Sequence, residues 1–204
     1  MLAALTRQYR KVHPVFIRQG LVWEETELRY LRRFLRAAAI PRVQSLAVLD
    51  LTVRDLYGNH WSTTGRRVPN AATPDEAVYL PGRNLLLLSK AVVFCALHQI
   101  DTIAIGSLGH NPFPDATPRF LRDFAKAAGR ALDFRVKIIA PFRSLTKEQV
   151  VRCGHRLGLP LHISFSCISP RRGLHCGHCN KCAERQRAFQ TAGVRDQTSY
   201  TRSD

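Results

Sequence analysis

The sequence predicts an α/β fold on a parallel sheet, closed at its C-terminal end by a small metal-bound segment. Three observations predict it. Short apolar runs alternate with longer helical stretches, the pattern of parallel strands joined by crossover helices. The helical stretches carry apolar residues at the 3.6-residue period. Four of the six cysteines fall between Cys167 and Cys182, at spacings that suit one tetrahedral ion.

The elements follow in order. Lys11 to Ile17 reads as a strand. Glu24 to Ala38 follows as an amphipathic helix, with Leu28, Leu31 and Leu35 on one face. Ser45 to Leu51 is a short buried strand, and Tyr57 to Leu80 a polar loop without a clear period. Asn84 to Gln99 is a helix, Asp101 to Gly106 a strand, and Ser107 to Thr117 a loop. Thr117-Pro118 offers an N-cap and a proline at the first helical position, opening a helix to Leu132. Arg135 to Ala140 is another buried strand. Thr146-Lys147-Glu148-Gln149 fits a capping box and starts a helix that Gly158 can stop. A last helix runs from Cys179 to Ala192, ended by Gly193.

The cysteines read Cys167-x8-Cys176-x2-Cys179-x2-Cys182. Two ligands come from a tight turn, one from the first turn of a helix, and one from an upstream extended segment. Four thiolates around a structural zinc are the simplest reading. Disulfides are disfavoured, because nothing suggests secretion and the cytosol keeps thiols reduced. An iron–sulfur cluster is the rival, but the bacterial run continues with x3-Cys-Pro, and here Ala183-Glu184-Arg185-Gln186 follows Cys182. His175 and His178 sit among the thiols and could replace one of them. Cys95 and Cys153 lie in apolar helical stretches and read as packed small hydrophobes.

Composition bounds the rest. A chain of 204 residues, 45% hydrophobic, can bury one good core. We expect an α/β domain over 1–160 and a zinc-binding segment over 161–204. Leu2 to Leu5 is too short for a signal sequence, and Asn84 to Gln99 is too short for a membrane span and contains Lys90. The expectation is a cytoplasmic protein with no membrane partner. The net charge is +16, and between Arg135 and Arg187 eleven Arg and Lys face two acids, Glu148 and Glu184. Such a field attracts nucleotides, carboxylates or RNA. Only six of the 31 basic residues are Lys, so an Arg-heavy genome composition is the plain alternative.

Several segments together resemble the 7-cyano-7-deazaguanine synthases of queuosine biosynthesis, within the PP-loop ATPase superfamily of adenine-nucleotide hydrolases. They are Leu80-Pro81-Gly82-Arg83-Asn84 opening a helix, Pro114-Asp115 after the Ile103–Gly106 strand, Leu145-Thr146-Lys147-Glu148, and the cysteine array followed by Arg185. Order and spacing agree from Val15 to Phe189. The resemblance implies a Rossmann-like sheet and a carbon–nitrogen ligase. ATP, with Mg, would activate the acid of 7-carboxy-7-deazaguanine, ammonia would attack, and a second activation would remove the amide oxygen. It also suggests a homodimer.

Carried over residue by residue, Arg83 is a candidate clamp for phosphate or carboxylate, because its planar fork pairs with such groups. Asn84 would begin the helix beneath it. The plain alternative is a helix cap beside a solvated Arg. Asp115 could accept hydrogen bonds from the base or place a magnesium ion; otherwise it is a loop Asp in an Asx-turn. Lys147 could neutralise phosphate charge, or be an ordinary first-turn Lys, a placement that the helix dipole slightly disfavours. The resemblance gives Arg83, Asp115 and Lys147 to catalysis, and Arg83, Asn84 and Lys147 to the nucleotide. Arg185 would hydrogen-bond the metal loop.

Two departures matter. The family's nucleotide-binding loop, Ser-Gly-Gly-x-Asp-Ser, is nowhere in the sequence. In the family it follows the first strand, central in a sheet of order three-two-one-four-five. Met1 to Tyr9 reads as the last turns of the helix that this loop opens. The expectation is therefore a sheet lacking its central first strand, with Met1 an internal methionine; a degenerate paralogue is the alternative. Residues 109–117 also differ from the family's Tyr-Pro-Asp-Cys-Arg, which bears on the substrate. Three functions compete: the deazaguanine ligase, a tRNA-binding modification protein of the same superfamily, and a non-catalytic zinc-stabilised paralogue.

Overall fold

The computed structural model describes residues 1–109 and 111–201. In chain order the regular elements are α1 Leu2–Leu5, β1 Val15–Arg18, α2 Glu24–Ala38, β2 Ala47–Asp50, α3 Arg54–Tyr57, α4 Trp61–Thr64, α5 Arg83–Leu97, β3 Thr102–Ala104, α6 Pro118–Leu132, β4 Lys137–Ile139, α7 Lys147–Arg156 and α8 Asn180–Ala192. Single 3₁₀ turns cover Asp75–Val78, Pro114–Ala116 and Leu161–Ile163. The chain divides into two compact units. One holds Met1 and Tyr79–Thr146; the other holds Leu2–Val78 and Lys147–Asp204. The fold is α/β with parallel strands, as the alternation predicts.

In the larger unit β1 pairs in parallel with β2, with Val15 opposite Ala47 and Arg18 opposite Asp50. The sequence suggests a strand from Lys11, but regular pairing begins at Val15. Pro14 is the physical reason: it has no N–H to give to a ladder. Upstream of it only an isolated bridge survives, between Val12 and Val43. Helix α2 occupies the predicted residues. Glu24, Glu25 and Glu27 fill its first turn and Arg36 its last, in the order the helix dipole favours. Its apolar face turns inward, with Leu28 only 1% exposed. Helix α7 packs on α8, where Val151, Ala188 and Phe189 form a core with Leu161, Ala192 and Val194 around it. Gly154 permits the close approach on α7, since a Cβ there would lie 2.8 Å from a Leu161 methyl. Arg152 reaches from α7 to the C-terminal end of α8, donating to the carbonyls of Thr191 (2.7 Å) and Ala192 (3.2 Å). Those carbonyls have no partner within the helix, and a guanidinium is their natural donor.

In the smaller unit β3 pairs in parallel with β4, with Thr102 opposite Lys137 and Ala104 opposite Ile139. Helix α5 starts one residue before the predicted Asn84 and buries Leu88, Val92 and Cys95. Helix α6 spans the predicted residues: Pro118 stands in its first turn, and the Thr117 hydroxyl accepts from the Phe120 N–H at 3.2 Å. Both strand pairs are half-buried, with Asp50 and Lys137 exposed, although Ser45–Leu51 and Arg135–Ala140 read as buried strands. In these pairings each strand has one neighbour, which covers it less than a strand inside a wide sheet. Among the described residues no helix is long and apolar enough to cross a membrane.

Candidate metal centre and nucleotide-site residues

The four clustered cysteines converge. Cys167 comes from the extended chain after the 3₁₀ turn Leu161–Ile163, Cys176 and Cys179 from the turn before α8, and Cys182 from the first turn of α8. This is the division of ligands that the spacing suggests. Their sulfurs all lie within 4.8 Å of one another, with Cys167 Sγ to Cys179 Sγ and Cys176 Sγ to Cys182 Sγ both 3.9 Å. Thiolates at about 2.3 Å from one ion at tetrahedral angles stand roughly 3.8 Å apart. The two edges of 3.9 Å match that tetrahedron. In a four-iron cluster each thiolate holds a different iron, and in a two-iron cluster two thiolates share each iron, so the four sulfurs would spread further than around one ion. All four cysteines are free and buried.

Backbone amides turn toward the sulfurs. The N–H groups of Ser169 and Cys176 point at Cys167 Sγ, and that of Cys179 at Cys176 Sγ, each at 3.3 Å. Such donors favour thiolate over thiol. Hydrogen bonding from Cys167 holds the Cys176 thiol far below its ordinary value and brings Cys179 down to about 6, while Cys167 and Cys182 are pushed up. A divalent ion would relieve this by taking all four as thiolates.

The histidines are not part of the sulfur group. His178 Nδ1 donates to the Cys176 carbonyl at 2.9 Å. His175 is fully buried among the rings of Tyr30, Phe165 and Tyr200, and its Nε2 accepts from the Ser166 N–H at 3.2 Å. Burial, helped by the Arg185 charge, lowers its pKa to about 4, so the ring is neutral at physiological pH.

Arg185 is the hub beside this centre. It is 5% exposed, and its guanidinium donates to Thr198 Oγ1 (3.0 Å from Nε, 2.7 Å from Nη2), Ser164 Oγ (3.0 Å), Ser166 Oγ (3.2 Å) and the Leu161 carbonyl (2.8 Å). It lies over the Phe189 ring. The resemblance suggests a contact with the metal loop, and Ser166 next to Cys167 provides it. The breadth of the network, which also ties down the 196–200 segment, has no signature in local sequence. Asn180 is a second such residue: its side chain donates to the Thr73 carbonyl at 2.8 Å and its backbone to that of Pro69 at 2.9 Å. Glu24 is a third. Its buried carboxylate accepts from the successive N–H groups of Gln19, Gly20 and Leu21 at 2.8 to 3.2 Å, fixing the turn at the C-terminal end of β1. A Glu opening a helix after a strand-end glycine is the only sequence hint of it.

The expected nucleotide-site residues fall in both units. In the smaller unit, Arg83 and Asn84 open α5. The Asp115 carboxylate accepts from the Asn84 N–H at 2.8 Å and from its side-chain amide at 3.2 Å. It therefore sits on the positive end of α5, where an anion is favoured. Beside it Phe113 stacks on Tyr79, with ring centres 4.9 Å apart. Of the atypical loop 109–117, His110 lies outside the described residues. In the larger unit, Lys147 pairs with Glu184, which also takes Lys181 at 2.8 Å, and Lys181 in turn lies 3.8 Å from Asp75. Burial lowers the Lys147 ammonium below its ordinary range, with Glu184 opposing. Burial pushes the Glu184 carboxyl up, but the two lysines outweigh it and hold it below its ordinary value.

Comparison with known proteins finds relatives over most of the chain. The family model described as "Queuosine biosynthesis protein QueC" matches residues 1–193. A 7-cyano-7-deazaguanine synthase of Methanothermobacter thermautotrophicus is 30% identical over 208 residues, covering 97% of this chain and 91% of that protein. A protein of the same name from Leptospira interrogans serovar copenhageni is 33% identical over 82% of this chain and 72% of its own. Another from Rhizobium etli is 35% identical over 87% and 77%.

Proposed function

Because this chain belongs to the QueC family of queuosine biosynthesis proteins, we propose that it makes 7-cyano-7-deazaguanine from 7-carboxy-7-deazaguanine, ATP and ammonia. The observation that carries this reading is identity of 30% over nearly the whole chain with a synthase of that name. Replacing both oxygens of a carboxylate by one nitrogen requires activating each oxygen as a leaving group. ATP, with Mg, would supply both activations. The first lets ammonia form the amide, and the second drives loss of the amide oxygen to leave the nitrile.

The protein's part is then to bind, orient and balance charge. We assign Arg83 to clamping phosphate or carboxylate through its planar fork. Asn84 places the start of α5 beneath it. Both carboxylate oxygens of Asp115 are held by Asn84, so we assign Asp115 to positioning the 113–117 segment rather than to contact with the reacting atoms. Lys147 would balance phosphate charge, with Glu184 holding its side chain. The four thiolates of Cys167, Cys176, Cys179 and Cys182 would hold zinc, a structural ion with no open coordination position.

The test is direct. The purified chain, and one extended upstream in frame, are incubated with the deazaguanine acid, ATP, magnesium and ammonium, and products are read by mass spectrometry. Nitrile dependent on ATP supports the reading. ATP binding without amide or nitrile from either chain would sink the substrate assignment. Absence of ATP binding from both would sink the ligase altogether.

A further inference from the structure

Helix α2 carries a second feature, unrelated to the expected nucleotide-site residues. Arg29, Arg32, Arg33 and Arg36 recur at i, i+3, i+4 and i+7, so they share one helical face. All four are exposed. From Leu28 to Ala38 the helix contains no acid, and its carboxylates are confined to Glu24, Glu25 and Glu27 at the other end. Of these, Glu25 pairs with Arg18 at 3.5 Å and Glu24 is buried in the turn that follows β1.

The fold adds to this stripe from far along the chain. Arg171 and Leu174 close a two-residue turn, each N–H bonded to the other's carbonyl at 3.1 and 2.9 Å. Its central residues, Arg172 and Gly173, have φ of +48° and +76°. Arg29 Nη2 donates to the Gly173 carbonyl at 3.3 Å. The φ of +76° at Gly173 favours glycine, and a Cβ there would push the flexible Arg29 guanidinium aside. Arg171 and Arg172 are both exposed at this tip. No Asp or Glu occurs between Glu148 and Glu184, so the turn brings no carboxylate of its own. The result is an arginine-rich surface on α2 and the adjoining turn, with Arg33 lying over the Tyr30 ring.

We propose that this surface, formed by Arg29, Arg32, Arg33 and Arg36 of α2 with Arg171 and Arg172, binds the phosphodiester backbone of a nucleic-acid strand. Charge complementarity selects the partner. The stripe from Arg29 to Arg36 spans roughly 10 Å, long enough to follow about three successive phosphates of one strand. Guanidinium forks pair with phosphate oxygens. The apolar face of the same helix turns away from the arginines, with Leu28 buried and Leu31 and Leu35 half-buried, so no exposed apolar face lies beside the stripe to insert into a bilayer. A nucleic acid therefore fits better than an anionic membrane.

The experiment titrates the full-length, metal-loaded protein against fluorescein-labelled single-stranded RNA, and against DNA of the same sequence, reading anisotropy across a salt series. About four phosphate contacts on a single strand predict a log–log salt slope near −3, or about 50-fold weaker binding between roughly 50 and 200 mM salt. The triple variant Arg29→Gln, Arg32→Gln, Arg36→Gln keeps helix propensity and should make the slope shallower by about 2. The control Arg122→Gln, Lys126→Gln, Arg130→Gln removes the same charge from α6 and should leave the slope unchanged. RNA-only or RNA-and-DNA binding with this dependence supports the proposal and identifies the source of the phosphodiester. Three results would overturn it: no binding at the lowest salt, equal loss in the control variant, or capture only by phosphatidylserine vesicles.

Discussion

Asp115 and Asn84 are joined twice, the carboxylate of the first accepting the backbone N–H and the side-chain amide of the second. The bond crosses 31 residues and ties the Pro114–Ala116 turn to the start of α5. Gly82, in the left-handed conformation at φ +70°, provides no side chain to cap that helix, so Asp115 serves from a distance. Asp115→Ala should cost about 1–2 kcal/mol, the usual worth of an N-cap. Asp115→Asn keeps an acceptor and should cost less. Urea unfolding of the two variants measures both. Equal stability of Asp115→Ala and wild type would remove the capping role.

The thiolate tetrahedron predicts one metal per chain. Cys182→Ser should lose most of it, whereas Cys95→Ser, at a buried thiol on α5, should keep it. Cobalt substitution supplies the geometric check: four thiolates give intense sulfur-to-cobalt charge-transfer bands and visible absorption of a tetrahedral ion. Spectra of an octahedral cobalt would contradict the site.

Arg185→Lys is not a conservative change here. A lysine has a point charge in place of a planar fork and cannot reach Thr198, Ser164, Ser166 and the Leu161 carbonyl together. Leaving a buried acceptor of this network without its donor costs about 1–3 kcal/mol apiece. Thermal unfolding should show a large drop for Arg185→Lys and Arg185→Leu alike. A change below about 1 kcal/mol, within reach of a surface substitution, would mean the network is dispensable.

Tyr200 donates to the Asp196 carboxylate at 2.6 Å. Burial, then the neighbouring carboxylate, pushes the Tyr200 phenol above its ordinary value. A group whose folded pKa is raised contributes stability that is fully present below the unfolded value, about 10 for Tyr, and is lost as pH rises through the folded one. Tyr200→Phe should therefore be less stable than wild type at pH 8, with the gap narrowing as the pH passes 10. Stability curves against pH for the pair give the answer, and a gap that widens in alkali would refute the assignment.

Much of this was legible before any coordinates. Helix α2 and helix α6 fall on their predicted residues because each carries its own signals, acids or Thr-Pro at the start and an amphipathic period throughout. The cysteine centre was legible because its ligands are close in sequence and chemically unambiguous. The stretch 57–80 was not. It holds α4 and the Asp75–Val78 turn, four residues each, too short to show a period. Local bonds fix them instead, as where the His60 ring accepts from the Ser62 N–H. Glu24 reads as an ordinary helical charge and Arg185 only as a neighbour of the metal loop, because their other partners are backbone groups and hydroxyls that only the fold assembles. Lys147 was read for its positive charge alone, and the sequence gives no hint that Glu184 would meet it.

Residues 69–73 lie about a hundred positions before the cysteine turn, yet they are clasped by it. Asn70 bridges Cys179, the Ala71 N–H reaches the His178 carbonyl, and Asn180 holds Pro69 and Thr73. Whatever tightens the cysteine turn therefore also anchors a remote stretch of chain, just after the exposed Arg66 and Arg67. Trypsin acting after Arg66 and Arg67 becomes a clock for the state of the thiols: slow while they are held together, fast once a chelator has opened them.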